Sequence, residues 1–401
     1  MALTLAAVEK AGERLRPILH HTSMDHSSTF SAMTGGEIYL KCENQQKTGS
    51  FKIRGAGNKI AIMAENGDTS PVVASSAGNH AQGVACASTA HGIAATIFMP
   101  KTAPIAKVQA TEGYGAKVML AGDCFDDSYR EACAYCEKAG AKFIHPYNDP
   151  DVIAGQGTLG LEILQDVPDA DVIITPAGGG GLLAGVAFAA KQIKPGIKVY
   201  GVQAAGADAI ARSFEAGEHV CTDTSSTIAD GIAVKNPGDL CVEMINRYVD
   251  GVVRVSDGEI AEAILLLMER CKQIVEPAGA TPVAAVLNGK IDVKGKKVVC
   301  LLSGGNIDVS FIQSIIEQGL FVRHRRIKIT VTLLDRPGSL AKLLNVISEC
   351  GANILTVEHD RLKAGLNPNE TTVHIACEVG GENHIATLLG ALQAHGYTVQ
   401  M

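Results

Sequence analysis

From Glu37 to about residue 320 the chain alternates short apolar runs with helical stretches, and this alternation restricts the fold more than any other feature. Nine runs qualify as strands: EIYLKCE, PVVASSA, IAATIFMP, AKVMLAG, KFIHP, DVIITPAG, KVYGVQAA, GVVRVS and KKVVCLLSG. Most are almost continuously apolar, as strands covered on both faces must be. Helical segments separate them, so the pattern predicts the α/β class, with mostly parallel sheets covered by helices. Nine strands are many for one sheet, so two α/β lobes are expected, with a ligand in the cleft between them.

After SIIEQGLFVRHRR the character changes. Residues 327–401 read IKITVTLL, DRPGSLAKLLNVISECGA, NILTVEHDRL, a polar loop KAGLNPNE, TTVHIACEV, NHIATLLGALQAHG and YTVQM. That is the β-α-β-β-α-β order of a ferredoxin-like domain. The expected organisation is a domain over 1–320, a linker at 321–326 and a second domain over 327–401. The smaller lobe, roughly 45–145, is inserted in the larger one.

Charge and composition remove several function classes. A net charge of −7 over 401 residues gives no field favouring nucleic acid or an anionic membrane. The basic cluster Arg323 to Lys328 has no interleaved aromatics and reads as a solvated linker. The N-terminal residues carry acidic groups and no sustained apolar core, unlike a signal peptide. The richest apolar run, Leu182 to Ala190, is too short to span a bilayer. Eleven scattered cysteines fit reduced thiols in a cytoplasmic protein. Cys133 and Cys136 form a CxxC, but inside a helical stretch and without a second pair at zinc spacing. His20, His21 and His26 offer no helical metal pair. No metal site is expected.

The chemistry concentrates in strand-to-helix junctions. In TPAGGGGLLAG, Thr175 to Gly185, four successive glycines follow a strand and open a helix. Their N–H groups converge on an anion at the positive end of the helix dipole. Gly179-x-Gly181-x-x-Ala184 also fits the dinucleotide fingerprint. That fingerprint needs an acidic residue at the end of the next strand, where this chain has Gln203 and Ala204, with Asp208 beyond. A nicotinamide cofactor is therefore disfavoured.

Lys52 follows TGS, and Ser50 is placed to cap the helical run that Lys52 begins. An amine in the first turn of a helix faces the positive dipole end, which favours its neutral, nucleophilic form. Lys47, before the turn, and Lys59, inside the helix, read as solvated. A phosphate cradle with a reactive lysine points to pyridoxal phosphate, although spacing alone leaves an ordinary exposed lysine equally open. In SSAGNHAQG, hydroxyls and backbone amides from Ser75 onward open a helix and suit a carboxylate, with Asn79 able to bond a ring hydroxyl. An ordinary capped turn is the alternative. His80 beside it either joins the chemistry or only structures the turn. CLLSGGN places Ser303 at a strand tip as a neutral partner.

KTGSFKIRGA, SSAGNHAQG, HPYNDPDVIAGQGT, PAGGGGLLAG, TIADGIAV, EPAGA and LLSGGN occur in this order over roughly residues 5–320. The set resembles the fold-type II pyridoxal-phosphate family, most closely its threonine/serine dehydratase branch. The resemblance implies that Lys52 forms the internal aldimine and Phe51 packs beside the cofactor ring. It implies that Asn79 holds the ring hydroxyl, that Gly178, Gly179, Gly180, Gly181 and Leu182 hold the phosphate, and that Ser303 meets the pyridine nitrogen. Ser75, Ser76, Ala77, Gly78 and Asn79 would hold the substrate carboxylate. A serine at 303 leaves the ring nitrogen neutral, which suits prompt β-elimination over transamination. The implied activity is deamination of L-threonine to 2-oxobutanoate and ammonia, with L-serine to pyruvate as a side reaction.

Serine racemases of this family carry a serine directly before GNH, where this chain has Ala77. Some relatives bind a divalent cation with a glutamate and an aspartate where this chain has Gln203 and Ala209, so that ion site is expected to be absent. A serine racemase, a β-replacing synthase and a non-catalytic amino-acid sensor remain as alternatives. Residues 327–401 resemble an ACT domain, and LLDRPGSLAKLL is its motif region. The resemblance implies an amino-acid effector, isoleucine or valine, at Asp335, Arg336, Pro337, Gly338, Ser339 and Leu340, in a homodimer or homotetramer. A passive oligomerisation module is the alternative.

Overall fold

The computed structural model describes residues 3–362 and 366–401. Contacts divide the chain into two compact units, Met1–Asp308 and Val309–Met401. The first unit holds two sheets. The larger has six strands in the order Met24–His26, Glu37–Lys41, Lys297–Leu301, Val172–Pro176, Lys198–Ala204 and Gly251–Val255. All its neighbours run parallel except Met24–His26, which pairs antiparallel at the edge. The smaller sheet runs Lys117–Leu120, Ala95–Met99, Val72–Ser75 and Lys142–Phe143, all parallel.

The two-lobed α/β class is therefore the observed one, and each of the nine apolar runs supplies a strand. Met24–His26 was not expected; its Asp25 and His26 are exposed and its sequence carries no apolar run. The central strands show why continuous apolar runs were informative. Every residue of Val172–Pro176 is buried, because helices cover both faces. The helices Pro150–Asp166 and Gly181–Ile193 pack so closely that a Cβ on Gly157 would meet the carbonyl of Gly185 at 3.0 Å.

One local expectation fails at the start of the helix Lys52–Glu65. Ser50 does not cap it. Ser50 is pinned in a short antiparallel bridge with Gly304, and the Phe51 N–H donates to the Ser303 carbonyl at 3.0 Å. These tertiary bonds hold Ser50 one residue too early, so Phe51 takes the cap position and the Ser50 hydroxyl is buried without a hydrogen-bond partner. Lys52 is still the first helical residue, where the dipole argument needs it.

The second unit opens with the helix Val309–Val322. Its antiparallel sheet runs Asn353–Asp360, Glu370–Glu378, Arg326–Leu334 and Val399–Gln400, with helices Ser339–Glu349 and Glu382–Ala394. This is the expected β-α-β-β-α-β order. Along Arg326–Leu334 the residues Ile327, Ile329, Val331 and Leu333 point into the core, the alternation of a sheet covered on one face. Within the stretch expected as a linker, 321–326, the helix reaches Val322 and the strand begins at Arg326, leaving a turn at 323–325. The ammonium of the exposed Lys328 lies 5.4 Å from the Phe321 ring centroid, a cation–π contact. Three residues of the polar loop KAGLNPNE, 363–365, lie outside the described residues. Among the described residues no helix is long and apolar enough to cross a membrane.

Candidate active site

The first unit brings four separated stretches together around Lys52. The loop after the strand Lys297–Leu301 is stitched to the segment before the lysine helix: Ser303 O accepts from Phe51 N, and Gly305 N donates to Gly49 O at 2.9 Å. A Cβ on Gly83, in the helix Asn79–Ala90, would meet the backbone of Lys52 and Ile53 at 3.0 Å. The Lys52 Nζ donates to the Pro146 carbonyl at 3.0 Å and lies 5.3 Å from the Phe51 ring centroid.

The amine is set up to lose its proton. Burial lowers its pKa from the usual 10.5 to about 8, against the opposing pull of Glu276. Two histidines near it stay neutral. Burial and the Lys52 charge push His80 down to about 3, and its Nε2 pairs with the Ile144 carbonyl at 2.8 Å. The same causes push His145 down to about 4. His80 is thus a buried structural donor, the plainer of its two readings.

Asn79 begins its helix and meets Glu276, which precedes the helix Pro277–Leu287. The Asn79 Nδ2 donates to both Glu276 carboxylate oxygens at 2.8 and 2.9 Å, and Asn79 Oδ1 accepts from Asn306 Nδ2 at 2.7 Å. Burial raises Glu276 to about 7, opposed by the Asn79 hydrogen bond and the Lys107 and Lys52 charges. Ser303 lies two residues beyond the strand Lys297–Leu301 and is 2% exposed.

The glycine run forms a cradle that side chains would fill. A Cβ on Gly179 would overlap the Tyr147 ring, and one on Gly181 would sit 2.8 Å from the Tyr147 carbonyl. At Gly178 it would meet the Ile232 Cα at 3.0 Å. Gly180 has φ +99°, a left-handed conformation that disfavours any other residue, and a Cβ there would lie 2.7 Å from Cys241 Cβ. Gly181 and Leu182 open the helix Gly181–Ile193, so their N–H groups lack intrahelical partners.

Ser75 ends its strand, and its buried hydroxyl has no hydrogen-bond partner. Ser76 N–H donates to the Phe98 carbonyl at 3.1 Å, and the Ser76 hydroxyl accepts from Gly78 N at 3.2 Å. Ala77 and Gly78 complete the turn before Asn79, so the whole stretch sits where a carboxylate would meet a helix N-terminus.

Elsewhere, Gln203 Oε1 accepts from Ala211 N at 2.8 Å and its buried Nε2 lacks a partner, while Ala209 begins the next helix. Cys133 and Cys136 lie in the helix Phe125–Ala139, as their sequence context implies. In the second unit, Asp335 pairs with Arg361 at 2.7 Å and Gly338, with φ +85°, precedes the helix begun by Ser339 and Leu340. Arg336 and Pro337 complete that strand-to-helix turn.

Four participants escaped sequence reasoning. Glu276 and the stretch His145–Tyr147 lay inside the recognised motifs EPAGA and HPYNDPDVIAGQGT but had no assigned role. Lys59 is also not merely solvated, since it pairs with Asp149 and Asp151 at 2.9 Å each. Arg54 is fully buried and bridges Glu43 and Glu162, each through two hydrogen bonds.

The sequence profile of the pyridoxal-phosphate dependent enzymes matches residues 15–304. The chain belongs to that family. The pyridoxal-phosphate enzyme is 49% identical to the L-threonine ammonia-lyase of Thermotoga maritima over 100% of this chain and 99% of that one. The processed threonine deaminase isoform 2 of Solanum lycopersicum superposes with a TM-score of 0.75 at 35% identity, over 78% of this chain and 86% of that one. Maize serine racemase also has a TM-score of 0.75, at 36% identity, over 81% and 100% of the two chains. The residues present fit the cofactor. A buried amine with a depressed pKa is held by Pro146, next to Tyr147, and Tyr147 packs on a glycine run too tight for side chains, whose N–H groups open a helix.

Proposed function

We propose that this pyridoxal-phosphate enzyme deaminates L-threonine to 2-oxobutanoate and ammonia, and L-serine to pyruvate more weakly. The observation that carries the proposal is the buried Lys52 amine, with its pKa near 8, held by the Pro146 carbonyl next to the Tyr147 that packs on the glycine run. The near full-length identity to an L-threonine ammonia-lyase supports the substrate.

The bound cofactor supplies an electron sink for the pair left at the substrate Cα. The chain's own residues do the rest. The N–H groups of Gly178 to Leu182 would hold the phosphate, Phe51 would pack beside the ring, and Ser303 would meet the ring nitrogen without adding charge. Asn79, oriented by Glu276 and Asn306, would hold the ring hydroxyl. The turn from Ser75 to Asn79 binds the substrate carboxylate. Lys52 Nζ then takes the Cα proton, which its pKa near 8 allows at neutral pH. Its Pro146 acceptor holds the amine between uses.

The test is the appearance of 2-oxo acid and ammonia from L-threonine and L-serine, with Lys52→Ala as control. Absence of 2-oxobutanoate from the cofactor-loaded protein rejects the reading. The similarity to maize serine racemase favours racemisation as a second reading. Ala77 weighs against it, because no hydroxyl stands directly before Gly78, Asn79 and His80. Chiral analysis of serine incubated with the enzyme separates the two.

The second unit is proposed as an ACT regulatory domain that binds isoleucine or valine at Asp335 to Leu340. Assembly as a homodimer or homotetramer and residence in the cytoplasm complete the reading. Adding each amino acid to the threonine assay, and measuring mass in solution, tests these points.

A further inference from the structure

The short segment Ile144 to Asn148 meets the lysine, the buried His80 and the glycine run. Its Ile144 carbonyl accepts from His80 and its Pro146 carbonyl from Lys52. The Tyr147 ring lies against Gly179, and the Tyr147 carbonyl faces the Cys241 thiol at 3.4 Å. Asn148 Nδ2 donates to Asp239 at 2.7 Å. Inside the segment, a single atom closes the turn: His145 Nδ1 accepts the N–H groups of Tyr147, at 3.2 Å, and Asn148, at 2.8 Å.

We propose that His145 is a positioning residue for Lys52, closing the 145–148 turn so that the Pro146 carbonyl is aimed at the Lys52 amine. This inference rests on the reading of Lys52 as the cofactor-bearing lysine. The physical case has three parts. The ring of Pro146 fixes its φ, so the direction of its carbonyl depends on ψ, and the two bonds to His145 hold the peptides that follow. The His145 ring is itself held edge to face by Tyr147, at 4.7 Å and 87°, and faces Phe143 at 6.3 Å. Phe143 in turn meets Tyr129 at 5.4 Å, so a file of rings fixes the turn.

Accepting two N–H groups at Nδ1 also requires the neutral ring with its proton on Nε2. Burial, with the neighbouring Lys52 charge, favours that neutrality. Chemistry at Cα needs the amine within a narrow range of positions, and an error of about 1 Å costs about 10²-fold in rate. The carbonyl that holds the amine is backbone and no substitution removes it directly. Its direction can be changed only through the turn.

The experiment compares His145→Asn with His145→Leu in the cofactor-loaded full chain. Asn offers a side-chain oxygen to the N–H groups two and three residues on, as in an Asx-turn. Leu matches the ring's bulk more closely but accepts nothing. Three quantities are read: amide exchange at Tyr147 and Asn148, the split between kcat and KM, and the share of chains bearing borohydride-reduced cofactor at Lys52.

His145→Leu is expected to lose amide protection and about 10²-fold in kcat, with KM little changed. His145→Asn is expected to keep protection, with kcat within about fivefold of the parent. Should His145→Leu not fold, His145→Asn alone decides, since an Asn variant as slow as about 10²-fold with its turn protected overturns the proposal. Equal activity of parent and His145→Leu also overturns it. If the parent itself carries no reduced cofactor on Lys52, the underlying reading of the lysine fails instead, and the two failures are told apart.

Discussion

The side-chain nitrogen of Asn79 lies 2.8 and 2.9 Å from the two carboxylate oxygens of Glu276. The contact joins the start of the helix Asn79–Ala90 to the start of the helix Pro277–Leu287. It also fixes the sense of the Asn79 amide, because a flip would set its oxygen against the carboxylate and its nitrogen against the Asn306 donor. Asn79 is therefore oriented before any ligand arrives.

Glu276→Gln tests the charge in this contact. The carboxyl is raised to about 7 in the folded protein, above its ordinary 4.5, so the native state binds more protons than the unfolded one between those values. The stability it contributes is full below pH 4.5 and is lost as pH rises through about 7. The variant is expected to show a flatter Tm against pH across that window. An unchanged slope removes Glu276 as the source.

Lys52→Met should trade function for stability. The amine is depressed to about 8, so its stability contribution is full only above its ordinary 10.5 and is lost as pH falls through 8. At pH 7 the cofactor-free variant should melt higher than the parent, with the gain shrinking toward pH 10. Threonine deamination should fall by on the order of 10³-fold or more.

Arg54→Met should be among the most damaging substitutions away from the reacting atoms. It strands Glu43, fully buried, and Glu162, whose carboxyl Arg54 holds below its ordinary range. Breaking a buried pair by removing one partner costs about 3–5 kcal/mol. Urea unfolding at pH 7 reads this directly, and a loss under about 1 kcal/mol contradicts the buried-network account.

Gly179→Ala should weaken cofactor binding while leaving the fold in place. The new Cβ overlaps Tyr147, so the ring or the loop must shift. At least a tenfold rise in the cofactor Kd, about 1.4 kcal/mol, is expected from fluorescence titration. Gly179→Ala combined with Tyr147→Ala should recover part of the loss, because the obstructing ring is gone.

Much of the fold was legible because it rests on local patterns. The stretches at 172–174 and 298–301 are apolar and buried at every position, as strands covered on both faces require. The strand Met24–His26 was not legible, since three residues with two exposed carry no pattern. In the site, Lys52, the glycine run and the turn at Ser75 stand out by residue type beside a helix start, although for Lys52 and Ser75 spacing alone leaves plainer readings open. Glu276 and His145 do not, because a glutamate before proline or a histidine before proline has no meaning until its partners are known.

By itself, then, the sequence determined the two-lobed α/β class, the βαββαβ order of the second unit and the family, all through patterns that act within one element or recur in fixed order. Tertiary structure alone decided that Ser50 bridges to Gly304 and does not cap its helix, and that Arg54 is buried between two carboxylates. It also decided that Asn79 is held by Glu276 and that Lys52 is held by Pro146. Each of these depends on residues tens to hundreds of positions apart meeting in a space of low dielectric. There, burial and pairing set pKa and orientation, and neither is written in any one stretch of the chain.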